Sequence, residues 1–229
     1  MTARSAVVGA GARERSHSIA TLSGVGAVIL AAGQSSRFRA AGGSEATKLA
    51  ADLDGRPIVR RVAEAALGSR SRPVVVVAGH ARSAVEAALA GLGVELAFNP
   101  EFASGIASSL RAGLAAMPRD IEGALVLLGD MPWIESRLID ALIDAFLARK
   151  DALAAIPLHD GRRGNPVLLR RALFDAAMRL EGDEGARRLI GALSADEVVE
   201  VAAPDLGAIF DIDTPDDLAA ARRFRSGDS

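Results

Sequence analysis

Four charged residues stand where this chain could act on phosphate esters: Arg37, Lys48, Asp130 and Asp213. The first two follow VILAAGQSSRF, residues 28–38. Val28, Ile29 and Leu30 read as a buried strand. Ala31, Ala32 and Gly33 remove side-chain bulk where the chain must turn, and Gln34, Ser35 and Ser36 continue as a polar loop. Main-chain N–H groups of such a loop can cradle phosphate oxygens, with Arg37 and Lys48 adding positive charge. The same residues also suit an ordinary strand-to-helix turn with two solvated cations. The pattern is neither GxGxxG nor GxxxxGK[ST], so neither the usual dinucleotide fingerprint nor a Walker loop is present.

The carboxylates come from two later turns. Asp130 ends the aliphatic run ALVLLGDMP, and Asp213 lies in IFDIDTPDDL. An Asp at the carboxyl tip of a parallel strand is placed where open sheets bind ligands. Two carboxylates converging there would repel each other unless a cation or proton sat between them. No His or Cys lies beside either, so Mg²⁺ suits the pair better than Zn²⁺. The alternative is capping. Thr214 reads as an N-cap with Pro215 at the first helical position and Asp217 answering it, and Asp213 could simply assist.

These residues need strands and helices to bring them together, and the chain alternates the two from Ala46 onward. Asp54-Gly55 marks a turn, and Pro57 opens a helix through Ile58, Val62 and Ala66. Val74–Val77 is a continuous β-branched run suited to a strand covered on both faces, with Gly79 and His80 at its end. A helix over about residues 83–89 and a strand over 94–98 follow. In NPEFASGIASSLRAGLAAMP, residues 99–118, Ile106, Leu110 and Leu114 recur at helical spacing. Ser108 and Ser109 fall in its first turn, where N–H groups lack helical partners and could meet a phosphate. Trp133 is expected to pack beside the mouth. LHDGRRGNPVLLRRALF then carries Arg162-Arg163 and Arg170-Arg171 around a glycine-broken loop, a fair place for an anionic second substrate. Asp183 is expected to cap the helix of GDEGARRLIGAL, and residues 196–201 read as an edge strand.

Composition narrows the class. The 229 residues are 50% hydrophobic and 24% charged, with one Trp, no Tyr and no Cys. That length suits one large α/β domain or two small ones. A net charge of -2 without a basic block argues against nonspecific nucleic-acid binding. The apolar run near Val28 is too short to span a bilayer, and no thiolate or disulfide chemistry is available. Residues 1–24 carry Arg4, Arg13, Arg15 and His17 among small residues. They lack a sustained apolar segment beside a cleavage site, so they are expected to form a flexible arm rather than a secretory signal.

VILAAGQSSRF…K, GDMP, NPxxxxGxxxSLRxGL, GNPVLL, GDEGAR and DIDTPDDL together resemble the MobA-like nucleotidyltransferases, over about residues 25–223. Within them the chain is most similar to the branch that attaches CMP to molybdopterin, the molybdenum cofactor cytidylyltransferases. It departs from the commoner RMG form at Arg37-Phe38-Arg39 and inserts residues 40–47 before the lysine. LLGDMPW, where the guanylyl branch typically has LAxDMPF, leans toward CTP.

The resemblance implies a single Rossmann-like three-layer α/β domain over residues 25–225, with a mostly parallel sheet of about seven strands, as in nucleotide-diphospho-sugar transferases. Residues 226–229 would be a tail. It implies that Leu30, Ala31, Ala32, Gly33, Gln34, Ser35 and Ser36, with Ser108 and Ser109, surround the nucleotide. Gly79 and Asn99 would lie near base or ribose. Arg37 and Lys48 would neutralise the phosphates as pyrophosphate leaves, and Asp130 and Asp213 would hold Mg²⁺, or Mn²⁺ in its place. Arg163, Asn165 and Arg187 would face the acceptor. It further implies CTP as substrate, a phosphorylated pterin as acceptor and a cytoplasmic enzyme that is a monomer or weak dimer. A molybdoenzyme maturation chaperone is among the partners it implies, and a membrane or nucleic acid is not.

Overall fold

The computed structural model describes residues 24–226. The expected N-terminal arm, apart from Gly24, and residues 227–229 of the tail lie outside the described residues. The chain opens with β1 (Val25–Ala31), the short α1 (Ser36–Ala40), and a hairpin of β2 (Asp52–Leu53) and β3 (Arg56–Pro57). There follow α2 (Ile58–Gly68), β4 (Val74–Ala78), α3 (Arg82–Ala88), β5 (Glu95–Phe98), α4 (Ile106–Ala115), β6 (Gly123–Leu128) and α5 (Ser136–Ala148). The second half adds β7 (Ala154–His159), β8 (Arg162–Arg163), β9 (Val167–Arg170), α6 (Phe174–Ala177), α7 (Ala186–Ile190), β10 (Val198–Ala202) and α8 (Pro215–Ser226).

An eight-stranded sheet runs in the order β10-β7-β9-β6-β1-β4-β5, with β8 paired to β7. Strands β1, β4, β5 and β6 are mutually parallel, as are β7 and β10. β9 runs against both β6 and β7, and so joins the two parallel blocks. The sheet is thus Rossmann-like and mostly parallel. The central strands are apolar on both faces because helices cover both. Along β1, Ala27, Ile29 and Ala31 face a core that includes Val59 and Val62 of α2 and Leu142 and Phe146 of α5. Val28 faces the opposite core, with Leu110 and Leu114 of α4 and Phe174 and Ile190 behind β9. A Cβ on Gly113 would strike Val28 and Val77, so that glycine lets α4 lie close on the sheet.

Three local expectations change. Pro57 belongs to β3 and stands at the N-cap of α2, one residue before the helix begins. The edge strand is β10, which starts at Val198 because Asp196 and Glu197 form a 3₁₀ turn capped by Ser194. Asp183 caps nothing: Gly185 holds the N-cap of α7, with no side-chain cap bond.

The terminal helix carries the expected cap. Asp217 N–H donates to Thr214 Oγ1 at 3.2 Å, and Asp217 Oδ2 accepts from the N–H groups of Thr214 at 2.8 Å and Asp213 at 3.0 Å. Partial burial alone would raise the Asp217 pKa, but the Thr214 hydroxyl, which donates to Asp217 Oδ2 at 2.8 Å, and then the two N–H groups hold it below its ordinary value. Asp217→Ala is expected to cost about 1 kcal/mol. A lowered native pKa contributes stability above the unfolded value near pH 4, and that contribution fades as pH falls through the native value. The gap in melting temperature between wild type and variant should therefore be present at pH 7 and shrink on acidification. A gap of the same size at pH 2.5 would show that it does not come from the carboxylate.

Candidate active site

The carboxyl ends of β1 and β6 lie side by side, and their loops are tied together. Gly129 N–H donates to Leu30 O at 3.0 Å, and Ile212 N–H donates to Asp130 O at 3.0 Å. The second bond draws the segment before α8 up to the tip of β6. Ile212 is fully buried in a small core with Phe38, Leu53, Ile58 and Leu218. In extended chain, neighbours on either side of a buried residue point the other way. Asp211 and Asp213 accordingly meet Asp130. One ligand oxygen from each of the three lies within 4.8 Å of the others.

Lys48 enters this cluster. Thr47 Oγ1 caps the 3₁₀ turn at Lys48–Ala50, and Ser35 Oγ accepts from Lys48 N–H at 3.2 Å, which fixes the lysine's backbone against the β1 loop. Lys48 Nζ then reaches Asp130 Oδ2 at 2.7 Å and Asp213 Oδ1 at 2.6 Å, with Arg37 on Asp213 Oδ2. The Lys48 side chain is 12% exposed, Asp130 20% and Asp213 23%. Burial alone would lower the Lys48 pKa. The charge and hydrogen bond of Asp130, then those of Asp213, more than reverse this and raise it above its ordinary value. Asp211 is raised instead: partial desolvation comes first, although the residue remains exposed overall, and the Asp130 and Asp213 charges add to it. Asp130 Oδ1 is buried and has no protein hydrogen-bond partner. An orphaned carboxylate oxygen beside two further carboxylates is a fitting donor set for a hard divalent cation.

A cleft of about 710 Å³ opens over the cluster. Gly33, Gln34, Ser36 and Arg37 form one wall, and Phe102–Ile106 with Ser109 the other. Among the described residues, the backbone N–H groups of Gly33, Gln34, Ser35 and Ser36 donate to no protein acceptor, so four successive donors remain for a ligand. Ser35 sits in the left-handed region at φ 52°, which turns the loop. A second cavity of about 420 Å³ adjoins the first and shares Leu30, Ile106, Leu128, Asp183 and Asp211 with it. Val126, Met131, Val167 and Ile209 make its apolar floor, and Arg162, Arg163, Asn165 and Arg187 line it as well.

Other expected nucleotide residues lie behind the cleft. Asn99 is 2% exposed; its amide donates to Ser108 Oγ at 2.8 Å and Ser109 Oγ at 3.1 Å. Asn99 and Ser108 thus brace the start of α4 rather than line the cleft. A side chain at Gly79 would collide with Ala32 and Phe102, so this glycine lets β4 pack under the β1 loop. Ala31 is buried beneath the cleft in the α2–α5 core. Arg163 pairs with Glu200 at 2.9 Å on the rim of the second cavity. Lys48, 12% exposed between the two carboxylates, is not a solvated cation; Arg37 pairs with Asp213, but its side chain is 77% exposed and remains in contact with solvent. Trp133 packs against the small core, with Arg61 over its ring. Sequence reasoning missed Asp211, although the alternation Asp-Ile-Asp around an apolar residue was a usable signal.

Residues 27–198 match the MobA-like NTP transferase domain. The chain belongs to the MobA-like NTP transferase family. It is a nucleotidyltransferase-type enzyme, and the loop, lysine and carboxylates of its cleft suit that chemistry. Bifunctional protein GlmU of Sorangium cellulosum is 33% identical over 162 residues, which are 68% of this chain and 33% of that protein. The match thus spans about a third of the GlmU relative. Molybdenum cofactor cytidylyltransferase of Escherichia coli K12 is 30% identical over 129 residues, 56% of this chain and 62% of that one. The crystal structure of Rv0371c from Mycobacterium tuberculosis H37Rv superposes with a TM-score of 0.76 at 26% identity, covering 88% of this chain and 98% of the other. Among the described residues, no helix is long and apolar enough to cross a membrane.

Proposed function

We propose that this enzyme transfers CMP from CTP to the terminal phosphate of molybdopterin or its molybdenum form, releasing pyrophosphate. The observation that carries the chemistry is the juxtaposition of four ligand-seeking N–H donors, Lys48 and three carboxylates in one cleft. The choice of CTP and a pterin acceptor is supported by motif resemblance and by the cytidylyltransferase relative.

In this reading the N–H groups of residues 33–36 and the Arg37 guanidinium hold the triphosphate. The acceptor phosphate enters from the second cavity, and one of its oxygens attacks the α-phosphorus as the bond to the bridging oxygen breaks. The acceptor is already anionic, so no protein nucleophile is required. The chain contributes positioning and electrostatic stabilisation. Asp130, Asp211 and Asp213 would hold Mg²⁺, which when bound offsets negative charge on the phosphates. Lys48 is the residue placed to shift from carboxylates to phosphate oxygens as these arrive. The base rests against Phe102–Ile106, with Asn99 and Gly79 acting from behind to hold that wall. Arg162, Asn165 and Arg187 meet the acceptor over an apolar floor suited to a ring.

A second reading keeps the chemistry and changes the acceptor. The new acceptor is another phosphorylated small molecule; this reading is left open because the GlmU relative, which is not named for molybdopterin, matches 68% of this chain against 56% for the cytidylyltransferase. One experiment separates these readings. Pyrophosphate release is measured with CTP, GTP, ATP and UTP, with and without molybdopterin. CTP is expected to exceed GTP by about tenfold or more in kcat/KM, since a fitted pocket rejects a base of different size and edge pattern. A GTP preference of that size would replace the cytidylyl reading, and release indifferent to molybdopterin would replace the acceptor.

A further inference from the structure

Lys48 holds the position between Asp130 and Asp213 that a divalent cation needs, and we propose that it is a latch making metal binding depend on nucleotide. The inference rests on the nucleotidyl-transfer reading of the cleft. Of the four carboxylate oxygens of Asp130 and Asp213, three already face a cation. Asp130 Oδ2 and Asp213 Oδ1 lie 2.7 and 2.6 Å from Lys48 Nζ, and Asp213 Oδ2 is held by Arg37. The fourth, Asp130 Oδ1, is buried without a partner. With Asp211 included, three carboxylates stand against two cations, leaving one net negative charge. An ion entering this arrangement meets an ammonium already bound to both inner carboxylates, and like charges at contact distance repel strongly where solvent is scarce.

A triphosphate alters that balance. Lys48 and Arg37 line the same cleft as Gly33, Gln34 and Ser36, whose N–H groups await an anion. Phosphate oxygens there offer both cations a second set of partners within reach of their present ones. When Lys48 and Arg37 turn to the phosphates, the carboxylates lose their compensation and take up the divalent ion. Metal and nucleotide then favour each other's binding by one reciprocal factor. In the absence of nucleotide, Lys48 stays bound to both inner carboxylates and keeps the cluster closed to metal.

The test is Mn²⁺ binding to the full chain without nucleotide, followed by electron paramagnetic resonance. Wild type is expected to bind only at roughly millimolar Mn²⁺, and Lys48→Met at least about tenfold more tightly. Adding Asp130→Asn to Lys48→Met should return binding to the wild-type range or weaker, which would place the ion at the cluster. Lys48→Gln is measured alongside and is expected to behave as Lys48→Met does, with circular dichroism checking each fold. Wild type binding Mn²⁺ below about 10 µM without nucleotide would overturn the latch even if neither variant folds. So would equal affinities in wild type and folded variants. These arms contain no nucleotide, so the identity of the base cannot affect them. A separate arm titrates non-hydrolysable CTP and GTP analogues with Mg²⁺; tighter binding of GTP would overturn the cytidylyl reading and leave the latch standing.

Discussion

Asp130→Asn is expected to lower the rate of transfer at saturating CTP and Mg²⁺ by about 10³-fold or more. Its carboxylate is the innermost of the three: one oxygen is bound to Lys48 and the other is buried without a partner. The amide of Asn keeps the shape but places a donor where an ion needs oxygen, and it removes a full charge. Folding should be little affected. Lys48 retains Asp213 at 2.6 Å, the carbonyl of residue 130 still accepts from Ile212, and crowding on Asp211 is relieved. The melting temperature without nucleotide should move by a few degrees at most. Asp213→Asn should also be severe. The double variant should be far less damaged than the product of the two single effects, because both residues act through one ion. Pyrophosphate release across the set, beside thermal melts, decides it. Multiplicative losses, or Asp130→Asn retaining a tenth of wild-type turnover, would remove the shared ion from the argument.

That prediction rests on residues the sequence exposed unequally. Asp130 was legible because a glycine and a proline bracket it at the end of an aliphatic run, and a parallel sheet gathers such ends on one face. Asp213 was legible because Thr214 and Asp217 account for the cap without it. Asp211 was passed over because the alternation Asp211-Ile212-Asp213 points to it only once Ile212 is known to be buried. Its role follows from Ile212 being buried and from the bond between Ile212 and Asp130, which is a contact across 82 positions. Asn99 is the opposite case. The resemblance placed it near base or ribose, whereas in the fold its side chain donates to two buried serine hydroxyls, a need visible only once α4 is packed. The direction of β9 was hidden for a similar reason. Val167–Leu169 is a short apolar run, and periodicity carries no sign of whether a neighbour runs parallel or antiparallel. Patterning thus sufficed for the alternation of strands and helices and for a small-residue loop after the first strand, and the family resemblance supplied the layers, whereas the pairings that close the site depend on long-range contacts.

The most informative of those pairings is Lys48, whose loss should lower both stability and turnover, with added metal restoring only the first. Lys48→Ala leaves Asp130 and Asp213 facing each other with side chains only 20% and 23% exposed. Breaking such a pair from one side is costly; for these partly hydrated carboxylates about 2–3 kcal/mol is expected. In a domain of this size that is a fall of roughly 5–10 °C in melting temperature without metal. The raised native pKa of Lys48 means that this contribution is complete below the unfolded value near pH 10.4 and is lost only as pH climbs through the native value. The deficit should therefore be constant across neutral pH. Millimolar Mg²⁺ should repair it, since an ion that binds the folded cluster stabilises the fold. Turnover should not recover. With Mg²⁺ saturating, Lys48→Ala is expected to remain about 10²-fold slower than wild type, because the ammonium no longer meets charge developing on the departing phosphates. Melts with and without Mg²⁺, paired with pyrophosphate release, read both effects in one preparation. If Mg²⁺ restored stability and turnover together, Lys48 would be a spacer between carboxylates and nothing more. If it restored neither, Lys48 and the ion would not share a site.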